Sequence, residues 1–150
     1  MKVVDQCAEL MSVSEPWITL RRTYDDVAKI ITDETSEVHL AILRDEMIGF
    51  AIIKMRGSFV GYIQSIAVRP QHRGQGIGKR FMEYLERRIF SEQPNVFICV
   101  SSFNRDARRL YERLGYETIG ELRDYIVKGH SEILMRKTVS PLSEFWKLKK

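Results

Sequence analysis

One run constrains this chain more than any other: Val68-Arg69-Pro70-Gln71-His72-Arg73-Gly74-Gln75-Gly76-Ile77-Gly78-Lys79. A β-rich apolar segment leads into it and an amphipathic helix leads out. Gly74, Gly76 and Gly78 fall at alternate positions, so their backbone N–H groups lack Cβ shielding. Those groups point into the positive end of the following helix, an arrangement that binds anions and suits a pyrophosphate. Arg73, Lys79 and Arg80 add formal charge beside the loop. A strand, a glycine loop and a helix in that order lead to a nucleotide-containing cofactor.

The spacing decides between cradles. The dinucleotide fingerprint G-x-G-x-x-G is absent, because the glycines here read G-x-G-x-G. The P-loop also fails, since no Ser or Thr follows Lys79 to hold magnesium. Gln71-x-x-Gly74-x-Gly76 resembles the [RQ]-x-x-G-x-[GA] pyrophosphate loop of the GNAT superfamily of acetyl-CoA-dependent N-acetyltransferases. A second block agrees. Asn104-Arg105-Asp106-Ala107-Arg108-Arg109-Leu110-Tyr111-Glu112-Arg113-Leu114-Gly115-Tyr116 is similar to that family's N-x-x-A-x-x-L-Y-x-x-L-G-[FY] helix. Together the blocks extend the resemblance over residues 37–137, with residues 138–150 as a tail of a single domain spanning 1–150.

The elements between the blocks follow from local patterns. Thr23 caps a helix that carries Asp26 at its third position and runs through Val27, Ile30 and Ile31. Val38, Leu40 and Ile42 alternate, which predicts a half-buried strand. Strands follow at Met47–Arg56 and Phe59–Val68, giving an antiparallel meander. Ile77, Phe81, Leu85 and Ile89 form the apolar stripe of the helix after the loop. Val96–Val100 is continuously apolar and reads as an interior strand covered on both faces. Asn104 caps the next helix and Gly115 stops it. Two strands, Tyr116–Glu121 and Ser131–Lys137, complete the order α, three β, α, β, α, β, β. That order predicts an α/β (α+β) fold with a mixed, mostly antiparallel sheet and helices on both faces, the GNAT-like fold.

The resemblance implies acetyl transfer to an amine, with acetyl-CoA as co-substrate. Arg73, Gly74, Gln75, Gly76, Ile77, Gly78 and Lys79 would hold its pyrophosphate. Its pantetheine arm would pair with the backbone of Ile66, Ala67 and Val68 like an added strand. The Val68 N–H would face the thioester oxygen. Asn104 would contact the sulfur end, and Tyr111 sits at the position of the family's general acid. A phenol with an ordinary pKa of about 10 stays protonated at neutral pH and can donate to a departing thiolate. By spacing alone, Tyr111 reads first as a core aromatic and Asn104 as a helix cap; the block match is what turns Tyr111 toward the general acid. The family's strand carboxylate is missing, since Gln64 and Ser65 occupy the nearest positions. A water chain held by Gln64 is the expected proton exit, with Glu132 and His130 as alternatives and no single essential base.

The acceptor reads as a primary amine of a small molecule or of a protein or peptide N-terminus. Ser14-Glu15-Pro16-Trp17 and Asp124-Tyr125 are candidates for its groove. The pattern is similar to bacterial N-terminal acetyltransferases of ribosomal proteins. A non-catalytic acyl-CoA sensor of the same fold is the rival reading, and a longer-chain acyltransferase a third. Hydrophobic residues make up 44% and charged residues 29% of the 150-residue chain, which suits one globular core rather than disorder. The net charge of +4 is spread without a basic, aromatic-interleaved stripe, so no nucleic acid is expected. No apolar run approaches the ~20 residues of a membrane span, so no membrane is expected. Cys7 and Cys99 do not make a disulfide framework, which points to a cytoplasmic protein. No His, Cys, Asp or Glu cluster has metal-ligand spacing, so no metal is expected. Phe145 and Trp146 mark a packed or homodimer-forming segment.

Overall fold

The structure, a computed structural model, describes residues 2–148. Six strands form one sheet in the order β1-β2-β3-β4-β6-β5. They are β1 (Ser36–Leu43), β2 (Glu46–Lys54), β3 (Tyr62–Val68), β4 (Asn95–Ser101), β5 (Glu117–Leu122) and β6 (Glu132–Thr138). Every neighbouring pair is antiparallel except β3 and β4. The meander expected of β1 to β3 is present. Arg44 and Asp45, both at positive φ, close the two-residue β1–β2 turn. Parallel pairing of β3 with β4 requires a crossover, and the helix after the glycine loop provides it.

That parallel pairing is brief. Only Tyr62 with Phe97 and Ile63 with Ile98 are in register, and beyond them the strands part. A bulge on β3 sits at the parting point. Ile53 faces Ile63 while Ile52 faces Ser65, so Gln64 is the extra residue. The bulge lets Ile63 and Ile66, three positions apart, both face the same core. It also removes Gln64 from the regular ladder.

Two apolar cores lie on the two faces of the sheet. Helices α1 (Val3–Ser12) and α2 (Tyr24–Thr32) cover one, where Cys7, Leu10 and Val27 meet Phe50, Ile52 and Ala67. Helices α3 (Ile77–Phe90) and α4 (Arg105–Arg113) cover the other, where Met82, Leu85, Ile89 and Tyr111 meet Ala51, Ile53 and Ile98. The α2 capping box forms as its sequence requires: Asp26 N–H donates to Thr23 Oγ1, and Thr23 N–H donates to Asp26 Oδ2 at 2.9 Å.

Beyond one- or two-residue shifts at the ends of β2, β5 and β6, the structure departs from the sequence reading at four places. α1 was not expected, because its N-cap Lys2 makes no side-chain cap bond and leaves no start signal. β3 begins at Tyr62 rather than Phe59, since Gly61 sits at φ 88° and a Cβ there would collide with the Asn95 carbonyl. β4 is interior, yet only one of its faces is fully covered: Val96, Ile98 and Val100 are buried while Phe97 and Cys99 are half-buried. The tail contains a helix, α5 (Leu142–Leu148), with Phe145 buried and Trp146 half-exposed. Among the described residues, no helix is long and apolar enough to cross a membrane.

Candidate active site

The glycine loop has the geometry of an anion cradle. Gly74 and Gly76 sit at φ 73° and 77°, a region L side chains rarely adopt, and a Cβ on either would enter open space. Gly76 is the N-cap of α3, and the first intrahelical bond runs from Arg80 N–H to its carbonyl at 3.1 Å. The N–H groups of Ile77, Gly78 and Lys79 therefore have no intrahelical acceptor and end the helix with positive character. Gly78 differs from the other two. It lies inside α3, and a Cβ there would meet Leu110 Cδ2 of α4 at 3.9 Å, an ordinary contact. Arg73 is pinned beside the loop: its Nε donates to the Val68 carbonyl at 2.9 Å and its Nη2 to Ser14 Oγ at 3.0 Å. Gln75 and Lys79 are exposed on the loop and on the first turn of α3.

The open edge of β3 points into the same region. Arg69 N–H donates to the Ile48 carbonyl at 2.7 Å, on the β2 side. Strand alternation then turns the N–H groups of Val68 and Ile66 to the opposite edge, which β4 has left. Ala67 faces β2, so of the three residues expected to pair with the cofactor arm, Ile66 and the N–H of Val68 are turned to the open edge, the Val68 carbonyl being taken by Arg73.

Where β3 and β4 diverge, a cavity of about 190 Å³ opens between the two cores. Tyr111 and Asn104 line it from α4, Gln64 from the bulge, and Glu132 from β6. The residues expected at the reacting end thus converge. Burial alone pushes the Tyr111 phenol upward, so it stays protonated and available as a donor at neutral pH. Asn104 Oδ1 accepts the Ala107 N–H at 3.4 Å, which leaves its amide N–H₂ for the cavity. Gln64 Oε1 and Glu132 Oε2 are both buried without a hydrogen-bond partner. Burial raises the Glu132 pKa, against a smaller downward pull from Ser101 and Arg22. The Ser101 hydroxyl lies close by without closing a well-formed hydrogen bond. Tyr62 and Cys99 both line the cavity, and burial raises both. Trp17, Leu20, Arg22 and Tyr125 complete the mouth.

Other candidates fall elsewhere. His130 does not line the cavity and stacks edge-on against Phe103. The acidic residues proposed for the acceptor groove are occupied by local turns: Glu15 binds Thr19, and Asp124 accepts the Gly129 N–H at 2.7 Å. Their neighbours Pro16, Trp17 and Tyr125 do line the cavity. Glu132, an alternative in the sequence reading, is its only acid. Cys7 and Cys99 are free. Among the described residues, no group of three or more His, Cys, Asp or Glu gathers at a metal site.

Comparison with known proteins places the fold in a family. Residues 4–116 match the family model of the acetyltransferase (GNAT) family. The chain is 33% identical over 92 residues to an N-alpha-acetyltransferase of Sulfurisphaera tokodaii, covering 58% of this chain and 54% of the relative. It is 30% identical over 101 residues to the aminoalkylphosphonate N-acetyltransferase of Salmonella typhimurium, covering 62% and 64%. In fold it resembles the ribosomal-protein-S18-alanine N-acetyltransferase from Escherichia coli, with a TM-score of 0.74, 20% identity, and coverage of 94% and 92%. The chain spans between 26% and 64% of the length of the curated relatives it matches. It belongs to the GNAT acetyltransferase family.

Proposed function

We propose that this protein transfers an acetyl group from acetyl-CoA directly to the primary amine of a small molecule or of a peptide N-terminus. The observation that carries this reading is the convergence, in one wedge, of a positive-φ glycine cradle, an unpaired β3 edge and the Tyr111 phenol. The residues fit acetyl-CoA: the cradle leaves open space where a Cβ would stand, and the β3 edge offers free backbone groups to an extended arm. Bound there, acetyl-CoA would supply an activated acetyl thioester.

The chain supplies the rest. Arg73, Gly74, Gln75, Gly76, Ile77, Gly78 and Lys79 hold the phosphates through backbone N–H groups and nearby charge. Ile66 and Val68 orient the arm, and the Val68 N–H donates to the thioester oxygen. Asn104 positions the sulfur end. As the amine nitrogen bonds the acetyl carbon and the C–S bond breaks, Tyr111 Oη gives its proton to the thiolate. The amine's proton leaves through water ordered by Gln64 Oε1 and comes to rest on Glu132, whose raised pKa makes it a stronger proton acceptor than an exposed carboxylate. The free thiols of Cys7 and Cys99 suit a reducing cytoplasm.

A thiol-release assay with acetyl-CoA and a panel of amines and N-terminal peptides tests this. Release that depends on an amine supports the transferase. Tight acetyl-CoA binding with no release above background, for any amine, would make the protein a sensor instead.

A further inference from the structure

The cavity lining is charge-balanced. Glu132 is its one acid and Arg22 its one base. Arg22 is held in place through its backbone: its N–H donates to the Trp17 carbonyl at 3.2 Å, Arg21 before it adopts φ 53°, and Thr23 after it caps α2. Its guanidinium has no ion-pair partner among the described residues. The nearby Asp26 is committed to the capping box. Both line the one cavity, and the positive charge of Arg22 favours the ionised form of Glu132.

From this arrangement we propose that the acceptor is a small zwitterion, a primary amine bearing a carboxylate or phosphonate a few bonds from its nitrogen. The ammonium faces Glu132 and the anion is held by Arg22. This rests on the transferase reading above and narrows its acceptor. A guanidinium fork matches either anion through paired hydrogen bonds. Volume agrees: about 190 Å³ is below the roughly 300 Å³ at which drug-sized ligands begin to fit, and the acetyl end shares the space. A polycationic amine would bring several charges to a lining with a single carboxylate, and Arg22 would repel it.

The test compares kcat/KM for four acceptors: an α-amino acid, aminomethylphosphonate, the amino acid's amide, and a linear polyamine. Each is run with wild type, Arg22→Gln and Arg22→Lys, and acetyl-CoA affinity is measured by calorimetry. Wild type should prefer at least one zwitterion to the amide by tenfold or more. Arg22→Gln should shrink that preference about ten- to a hundredfold, the worth of a charge-assisted hydrogen bond. Arg22→Lys should restore part of it. The carboxylate-to-phosphonate ratio identifies which anion is read. Equal use of amide and zwitterion, or a preference that survives Arg22→Gln, would overturn the inference and leave the transferase standing. Acetyl-CoA binding without thiol release for any amine would overturn both.

Discussion

Replacing Glu132 by Gln should weaken catalysis and strengthen the fold. The carboxylate is buried, at 5% exposure, and its Oε2 has no partner. Folding therefore disfavours the ionised form, and the folded protein binds the proton more tightly than the unfolded chain. Stability from this group is present below the ordinary glutamate pKa of about 4.3 and is lost as pH rises through the higher folded value. At pH 7, above the ordinary value, that penalty already opposes folding. A neutral amide of the same shape removes it and gains on the order of 1 kcal/mol, the lower end for an unsatisfied buried group. For a chain of 150 residues that is a Tm rise of roughly 2–4 °C at pH 7. The gain should vanish near pH 4. Turnover should fall about 10²-fold without disappearing, because water can still carry the proton out. Paired thermal melts and pH–rate profiles of both proteins measure this. A variant less stable than wild type at pH 7, with turnover and acidic limb unchanged, would refute both the strained carboxylate and its place in the relay.

Other outcomes follow from the same geometry. Tyr111→Phe keeps the packing and removes the donor, so turnover should drop about 10²-fold with acetyl-CoA affinity nearly unchanged by calorimetry. Gly76→Val forces a β-branched residue to φ 77° and fills the cradle, so acetyl-CoA binding should be severely weakened, whereas Gly78→Ala meets Leu110 at ordinary contact distance and should bind within a few-fold of wild type. Lys137 Nζ lies 2.8 and 3.1 Å from the oxygens of buried Glu86. Lys137→Met strands that charge and should cost about 3 kcal/mol in urea unfolding, much of which Glu86→Gln in the same chain should recover.

Much of this site was legible because its residues are punctuation as well as chemistry. Gly74 and Gly76 stand out since glycine adopts their φ far more readily than any other residue, and Thr23 and Asn104 stand out since each caps a helix. The crossover strand and helix then fix where the wedge must open. What the sequence hid lacked such marks. α1 has buried Cys7, Leu10 and Met11 at helical spacing but no capping side chain. The Gln64 bulge was encoded in the three-residue step from Ile63 to Ile66, which no regular strand can place on one face. The apolar run of β4 concealed that Cys99 faces a cavity, because a half-open pocket and a packed helix select the same residue types. Glu132 and Arg22 lie 110 positions apart in sequence, and only the closed sheet brings both to one cavity.

The most direct test of the central claim follows the acetyl group itself. Enzyme saturated with acetyl-CoA labelled in the acetyl carbonyl is mixed with amine, quenched during the first turnover, and the label located by mass spectrometry. Free CoA and acetylated amine should appear together, one for one, with no label on the protein, and Tyr111→Phe should slow both alike. Label on a protein side chain that then passes to the amine, or CoA release that ignores the amine, would contradict direct transfer in this wedge.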